Sequence, residues 1–244
     1  MDLSADTDYE DVSISGESFA GAELHSASFR GCEFIQVQFA SAQLQQVTFE
    51  HCRFSGCDLA NADFGEATLD TVDVRDSKLL GAGFAGAVLR SVQVTDTLCR
   101  LVSFFRTSLR DSSFIGCDLG EADFREATIR LSALVGCDLS SVSFVGADVK
   151  QLDIRDSVLN GSISLTECRG FVVSSAQLVP LAAAVLQKVG ATVNDDQVPE
   201  RAELPGGAEV GRLQPVDLDA AQRGLAEARA RLGATDGASG RLFE

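Results

Sequence analysis

Every fifth residue from Tyr9 to Leu159 is a large apolar side chain, and the phase holds without a slip over thirty-one positions. The series opens Tyr9, Ile14, Phe19, Leu24, Phe29, Phe34, and only Cys99 falls short in bulk. Two residues before each centre runs a second register of small side chains, among them Ala22, Ala27, Cys32, Val37, Ala42 and Val47. A period of five fits neither the 3.6 residues of a helical turn nor the alternation of a strand. It demands a backbone that turns a corner every five residues, and a repeat this long overrides local propensity.

A polygonal coil meets that demand, and the family resemblance drawn from the repeats below implies that it has four sides. Each side offers two inward positions, a large one at mid-face and a small one near the corner, and leaves the others for solvent. Glycines such as Gly31 and Gly56 recur at the corner register, as a tight turn favours. One coil alone has no core and gains one only by stacking on its neighbours. At about 4.8 Å per coil, thirty-one repeats give nearly eight coils and a rod of roughly 37 Å. Residues twenty apart then lie over one another, so Phe64, Phe84, Phe104, Phe124 and Phe144 form an internal aromatic ladder.

The commonest repeat, seen in CDLAN, ADFGE, CDLGE, ADFRE and CDLSS, closely resembles the A(D/N)LXX pattern of the pentapeptide-repeat family. The resemblance covers about two-thirds of the chain. It implies an all-β solenoid, a right-handed quadrilateral β-helix of nearly eight coils with a C-terminal capping helix. The segments expected are an acidic start (1–8), the β-helix (9–165), the cap and its helix (166–193) and a linker with a flexible tail (194–244). A short helical stripe falls at about 217–232, and three of the four prolines lie in the linker. In the cap, Ser174 with Gln177 fits a capping box, although Pro180 then sits awkwardly inside the helix; a start nearer Val179, with Pro180 in the first turn, fits equally well.

The chain carries 36 acids and 20 bases, a net charge of −16. This balance speaks against direct nucleic-acid or anionic-membrane binding and permits a basic protein partner. No basic-then-apolar leader and no apolar run of spanning length is present, so the expected location is cytoplasmic. Cys32, Cys52, Cys57, Cys117 and Cys137 occupy the small inward register, where they read as buried hydrophobes rather than as disulfides or metal ligands. His25 and His51 fall on different outer faces, and no nucleotide, metalloprotease or hydrolase motif appears. No catalytic, cofactor or metal residue is therefore assigned, and an enzyme is not expected.

What remains is the outer surface. One face carries Asp58, Asp118, Glu121 and Asp138, opposed by Lys78 and Arg100; the next offers a column with Asp76, Asp96 and Asp156. A third carries a basic row, Arg90, Arg110, Arg130 and Lys150. Some members of the resembling family imitate duplex DNA in girth and charge and protect gyrase or topoisomerase IV from poisons. That resemblance implies a type II topoisomerase as protein partner, the seven carboxylates above as contact residues, and a homodimer through the cap, using Leu178, Leu181, Val185 and Leu186. The basic row and the tail after Val193 depart from that pattern. The competing expectation is a scaffolding adaptor that binds through outward apolar residues Phe105, Ile115, Val135 and Val145.

Overall fold

In the computed structural model, residues 3–160, 170–178 and 181–182 are described. The chain divides into two compact units, residues 1–193 and 194–244. The linker, tail and short helix expected in the second unit lie outside the described residues, as does most of the expected capping helix.

The five-residue phase becomes an all-β parallel solenoid of about eight turns, with almost no helix among the described residues. Pairing follows an offset of twenty. Phe29 lies between Tyr9 and Phe49, and Val94 lies between Val74 and Phe114. Short strands such as Ser28–Arg30 and Glu33–Ile35 build two of the four sides. Single bridges such as Gln38 to Asp58 and Asp63 to Gly83 mark the other two. We name each face after its first centre: Tyr9, Ile14, Phe19 and Leu24.

The corners are uniform. Every fifth residue from Asp6 to Asp156 has a positive φ, and nine of these corners are glycine. The remainder include Leu101 (φ 59°) and Leu131 (φ 51°), side chains that avoid the left-handed region in isolation. Lattice closure, not glycine content, fixes this conformation. Glycine marked only some of the corners in the sequence.

From Ala27 to Ser157 both inward registers are buried, as the phase requires, with Ala27, Phe29, Cys32 and Phe34 each at most 1% exposed; the first coil is only partly covered, Tyr9 and Phe19 being half-buried and Glu17 exposed. The expected ladder is present, with ring centroids 4.6 Å apart for Phe64 and Phe84, 5.3 Å for Phe84 and Phe104, 4.7 Å for Phe104 and Phe124, and 5.0 Å for Phe124 and Phe144. The six described cysteines are free and buried. Burial pushes the Cys52 thiol up to about 12, and its Sγ–H donates to the Phe29 carbonyl at 3.3 Å. Cys52 is thus a protonated packing group.

That last bond belongs to a series. Side chains in the small register reach back twenty-three residues to a carbonyl of the coil below. Cys57 donates to Phe34 O at 3.3 Å, Thr107 to Phe84 O at 2.6 Å and Ser157 to Leu134 O at 2.6 Å. After residue 160 the phase shifts by one: Phe171 pairs with Leu152 and Val172 with Asp153, an offset of nineteen. Gln177 then resumes the series, its amide donating to Ile154 O at 2.7 Å and Ser157 O at 2.9 Å. Its Oε1 accepts from the Ser174 N–H at 2.9 Å, the box expected from Ser174 and Gln177.

Candidate protein-binding faces

Three outward positions recur in each repeat: the residue before the centre, the one after it, and the corner. The acid before the centre has a local task. Asp58 Oδ1 accepts the Ala60 N–H at 3.0 Å, Asp118 Oδ1 that of Gly120 at 3.0 Å and Asp138 Oδ1 that of Ser140 at 2.9 Å. Each is an Asx turn that directs the chain into the corner. The aspartate of the repeat motif is therefore structural before it is anything else, a role that its i to i+2 spacing could have signalled in the sequence.

Two of these carboxylates and a neighbouring acid also meet cations. Lys78 Nζ lies 3.7 Å from Asp58 Oδ2, and Arg100 bridges Asp118 at 3.9 Å and Glu121. The Phe19 face thus gathers Asp58, Asp118, Glu121 and Asp138 but divides them at Lys78, Leu98 and Arg100. Asp76, Asp96 and Asp156 stand on exposed corners that follow the Ile14 face. Asp76 and Asp96 are neighbours in that column, while Gly116 and Gly136 separate them from Asp156. Repeats of the form Asp–centre–Arg neutralise themselves: Arg75 to Asp73 at 2.7 Å, Arg125 to Asp123 at 2.8 Å and Arg155 to Asp153 at 2.6 Å. The Arg155 guanidinium holds the Asp153 carboxyl below the usual aspartate range.

Residues 1–80 contain fifteen acids and four bases, residues 81–160 ten acids and eight bases. In the first stretch all four bases are engaged by carboxylates: Arg30 by Glu50 at 2.9 Å, Arg53 by Glu33 at 3.4 Å, and Arg75 and Lys78 as above. In the second, Arg106 holds Glu126 at 2.7 Å, Arg110 holds Asp111 at 3.3 Å and Arg130 holds Asp148. Arg90 and Lys150 contact no carboxylate among the described residues. Strand pairing sets Arg90, Arg110, Arg130 and Lys150 directly over one another on the Tyr9 face.

The outward apolar residues also fall together. Ile115 (40% exposed) registers with Val135 on the Ile14 face, beside the Leu131 corner. Phe105 is half-buried, with the Arg106 guanidinium 4.8 Å and that of Arg125 5.8 Å from its ring centre, and Val145 stands two coils along on the same face. His25 and His51 are exposed. At the cap, Leu178 is exposed and Leu181 half-buried; Val185 and Leu186 lie outside the described residues. Among the described residues, no helix is long and apolar enough to cross a membrane.

Residues 27–104 match the model of a pentapeptide repeat region, and residues 103–140 match a model of eight pentapeptide repeats. No curated protein matches the chain. Among solved structures, the chain is similar to trypsin-treated QnrB1, a plasmid-mediated fluoroquinolone resistance protein, at 21% identity over 77% of this chain and all of that one, with a TM-score of 0.43. It is also similar to HetL, a pentapeptide repeat protein involved in heterocyst differentiation regulation in the cyanobacterium Nostoc sp. Strain PCC 7120, at 20% identity over 71% and 92% of the two chains, TM-score 0.34. A third is a pentapeptide repeat protein of the Arabidopsis thaliana thylakoid lumen, at 24% identity over 48% and 68%, TM-score 0.36.

Proposed function

Because this chain is a pentapeptide-repeat protein, we propose that it acts as a non-enzymatic, cytoplasmic binding rod whose acidic surface imitates duplex DNA toward the basic saddle of a type II topoisomerase. One observation carries this reading: acids outnumber bases along both stretches of the rod, most strongly in residues 1–80, where all four bases are already engaged by carboxylates. Charges held on a rigid lattice present their field without an ordering cost at binding, and such a field speeds encounter with a basic partner. The contact residues proposed are Asp58, Asp118, Glu121 and Asp138 on the Phe19 face and Asp76, Asp96 and Asp156 on the next corner. Association of two rods through the cap, with Leu178, Leu181, Val185 and Leu186, would lengthen the acidic surface.

The test is inhibition of supercoiling by purified gyrase, together with relief of quinolone-stabilised cleavage, over a range of salt. The wild type is expected to do both at micromolar concentration and to lose both as salt rises. Asp118→Asn with Asp138→Asn keeps the turn acceptors and removes two charges, so binding weakens while the fold stays. Asp76→Lys with Asp96→Lys weakens it further. If the wild type does neither, the topoisomerase reading fails. The patch of exposed Ile115 and Leu131 with half-buried Val135 then favours a scaffolding adaptor. Under that reading Ile115→Arg abolishes partner capture and the charge variants leave it unchanged.

A further inference from the structure

The outer column of the Tyr9 face is charge-segregated from end to end. Its N-terminal part presents Glu10, Glu50 and Asp70, with Arg30 among them, and its C-terminal part is the basic row that begins at Arg90. Four of these charges have no ionic partner among the described residues: Glu10 and Asp70 in the acidic part, Arg90 and Lys150 in the basic part. Asp70 and Arg90 are register neighbours on adjacent strands, yet they form no ion pair; Asp70 instead accepts the Thr71 hydroxyl at 2.9 Å.

A twofold axis lying across the face, midway between Asp70 and Arg90, lays a second copy antiparallel on the first. It sets Asp70 against Arg90 of the other copy and Glu10 against Lys150. The four uncommitted charges thereby satisfy one another in two pairs, and the symmetry repeats each pair. Glu50 meets Arg110, and at the corner column His51 meets Asp111. The like-charge meetings are Arg30 with Arg130 and Asp8 with Asp148. Arg30 is already neutralised by Glu50, while Arg130 and Asp148 are bound to each other. A long external polyanion would be repelled by Glu50 and Asp70 as soon as it ran past Arg90. The opposite end of a second copy avoids that conflict.

We propose that the Tyr9 face is a self-recognition surface on which two copies of this chain pair side by side and antiparallel through complementary charge. This pairing is independent of the cap and of the topoisomerase reading.

Sedimentation mass of the full chain at low and high ionic strength tests it. The expected result is a dimer at low salt that dissociates as salt rises. Asp70→Arg alone and Arg90→Asp alone each raise the dissociation constant at least about tenfold, because symmetry counts every reversal twice. The double variant Asp70→Arg/Arg90→Asp restores the dimer, since the swapped charges again face their opposites. Circular dichroism of all three variants checks the fold. A mass insensitive to the single reversals assigns association elsewhere, such as the cap, and overturns the proposal. So does a double variant that stays dissociated, or a monomer at every salt concentration. Retention on an immobilised polyanion that Arg90→Asp removes, with the mass monomeric throughout, would instead give the row to a separate anionic partner.

Discussion

Residues 1–80 and 81–160 share one backbone lattice and differ both inside and outside. The first stretch packs aromatic rings on several faces at once. Tyr9, Phe29 and Phe49 stack at 4.9 and 5.0 Å, and Phe34 meets Phe29 and Phe39 edge to face at 5.5 Å across the shaft. The second relies on the single Leu24-face ladder, with Leu, Val and Cys on most other sides. Where the arrangements exchange, around Phe54, Val74, Leu89 and Val94, the shaft holds a void of about 20 Å³. Outside, one half is strongly acidic and the other nearly balanced. A solenoid couples only neighbouring coils. Stretches of one chain can therefore diverge in surface charge while keeping the same interior rule, and a gradient along the sequence becomes a gradient along the rod.

If the interior rule is common, a buried charge should be equally intolerable in either half. Leu44 and Leu119 are at most 1% exposed at equivalent centres. Leu44→Asp and Leu119→Asp should each cost several kcal/mol and abolish cooperative melting. A variant that melts cooperatively near the wild-type temperature in only one half would break the equivalence.

The interior was legible in the sequence because an unbroken period of five fixes which positions face inward, and burial follows phase. The outer surface was less legible. The aspartate of the repeat reads as an acid available to a partner until the turn geometry shows its oxygen on the backbone, as at Asp58, Asp118 and Asp138. Leu101 and Leu131 carry no sign of a left-handed corner, since side-chain identity does not set φ where the lattice does. The one-residue shift before Phe171 hid a continuing strand, because a phase count stops at the first slip. A partner recognised by field and shape leaves no local motif, since both are distributed over many residues.

The two ends of the rod offer a sharper contrast. At the N-terminal end the edge strand Asp8–Glu10 lies among Asp6, Asp8, Glu10 and Asp11, charges that discourage edge pairing. At the C-terminal end, Gln177 takes the carbonyls of Ile154 and Ser157. Gln177→Met keeps the length of the side chain and removes both donors. It should cost about 1–3 kcal/mol and raise hydrogen exchange in the last coil without touching the first. Unchanged melting and exchange would mean that water serves those carbonyls equally well.

The smallest expected effect concerns the self-neutralised repeats. Asp153 caps the Arg155 N–H at 3.0 Å and holds its guanidinium at 2.6 Å. Hydrogen bonding to Arg155 depresses the Asp153 carboxyl. Asp123 is likewise depressed, its burial outweighed by Arg125. A depressed carboxyl contributes stability that is present above the unfolded value of about 3.9 and lost as pH falls through the lower folded value. Asp153→Asn keeps the turn acceptor and deletes the charge. At neutral pH it should lower the melting temperature by no more than about 3 °C, the scale of a half-exposed ion pair. Below the carboxylate range the difference should vanish, because the wild-type aspartate is then neutral as well. The two sites lie in separate repeats, so Asp123→Asn should add to it. A penalty that persists in acid would assign the effect to the turn instead of the charge.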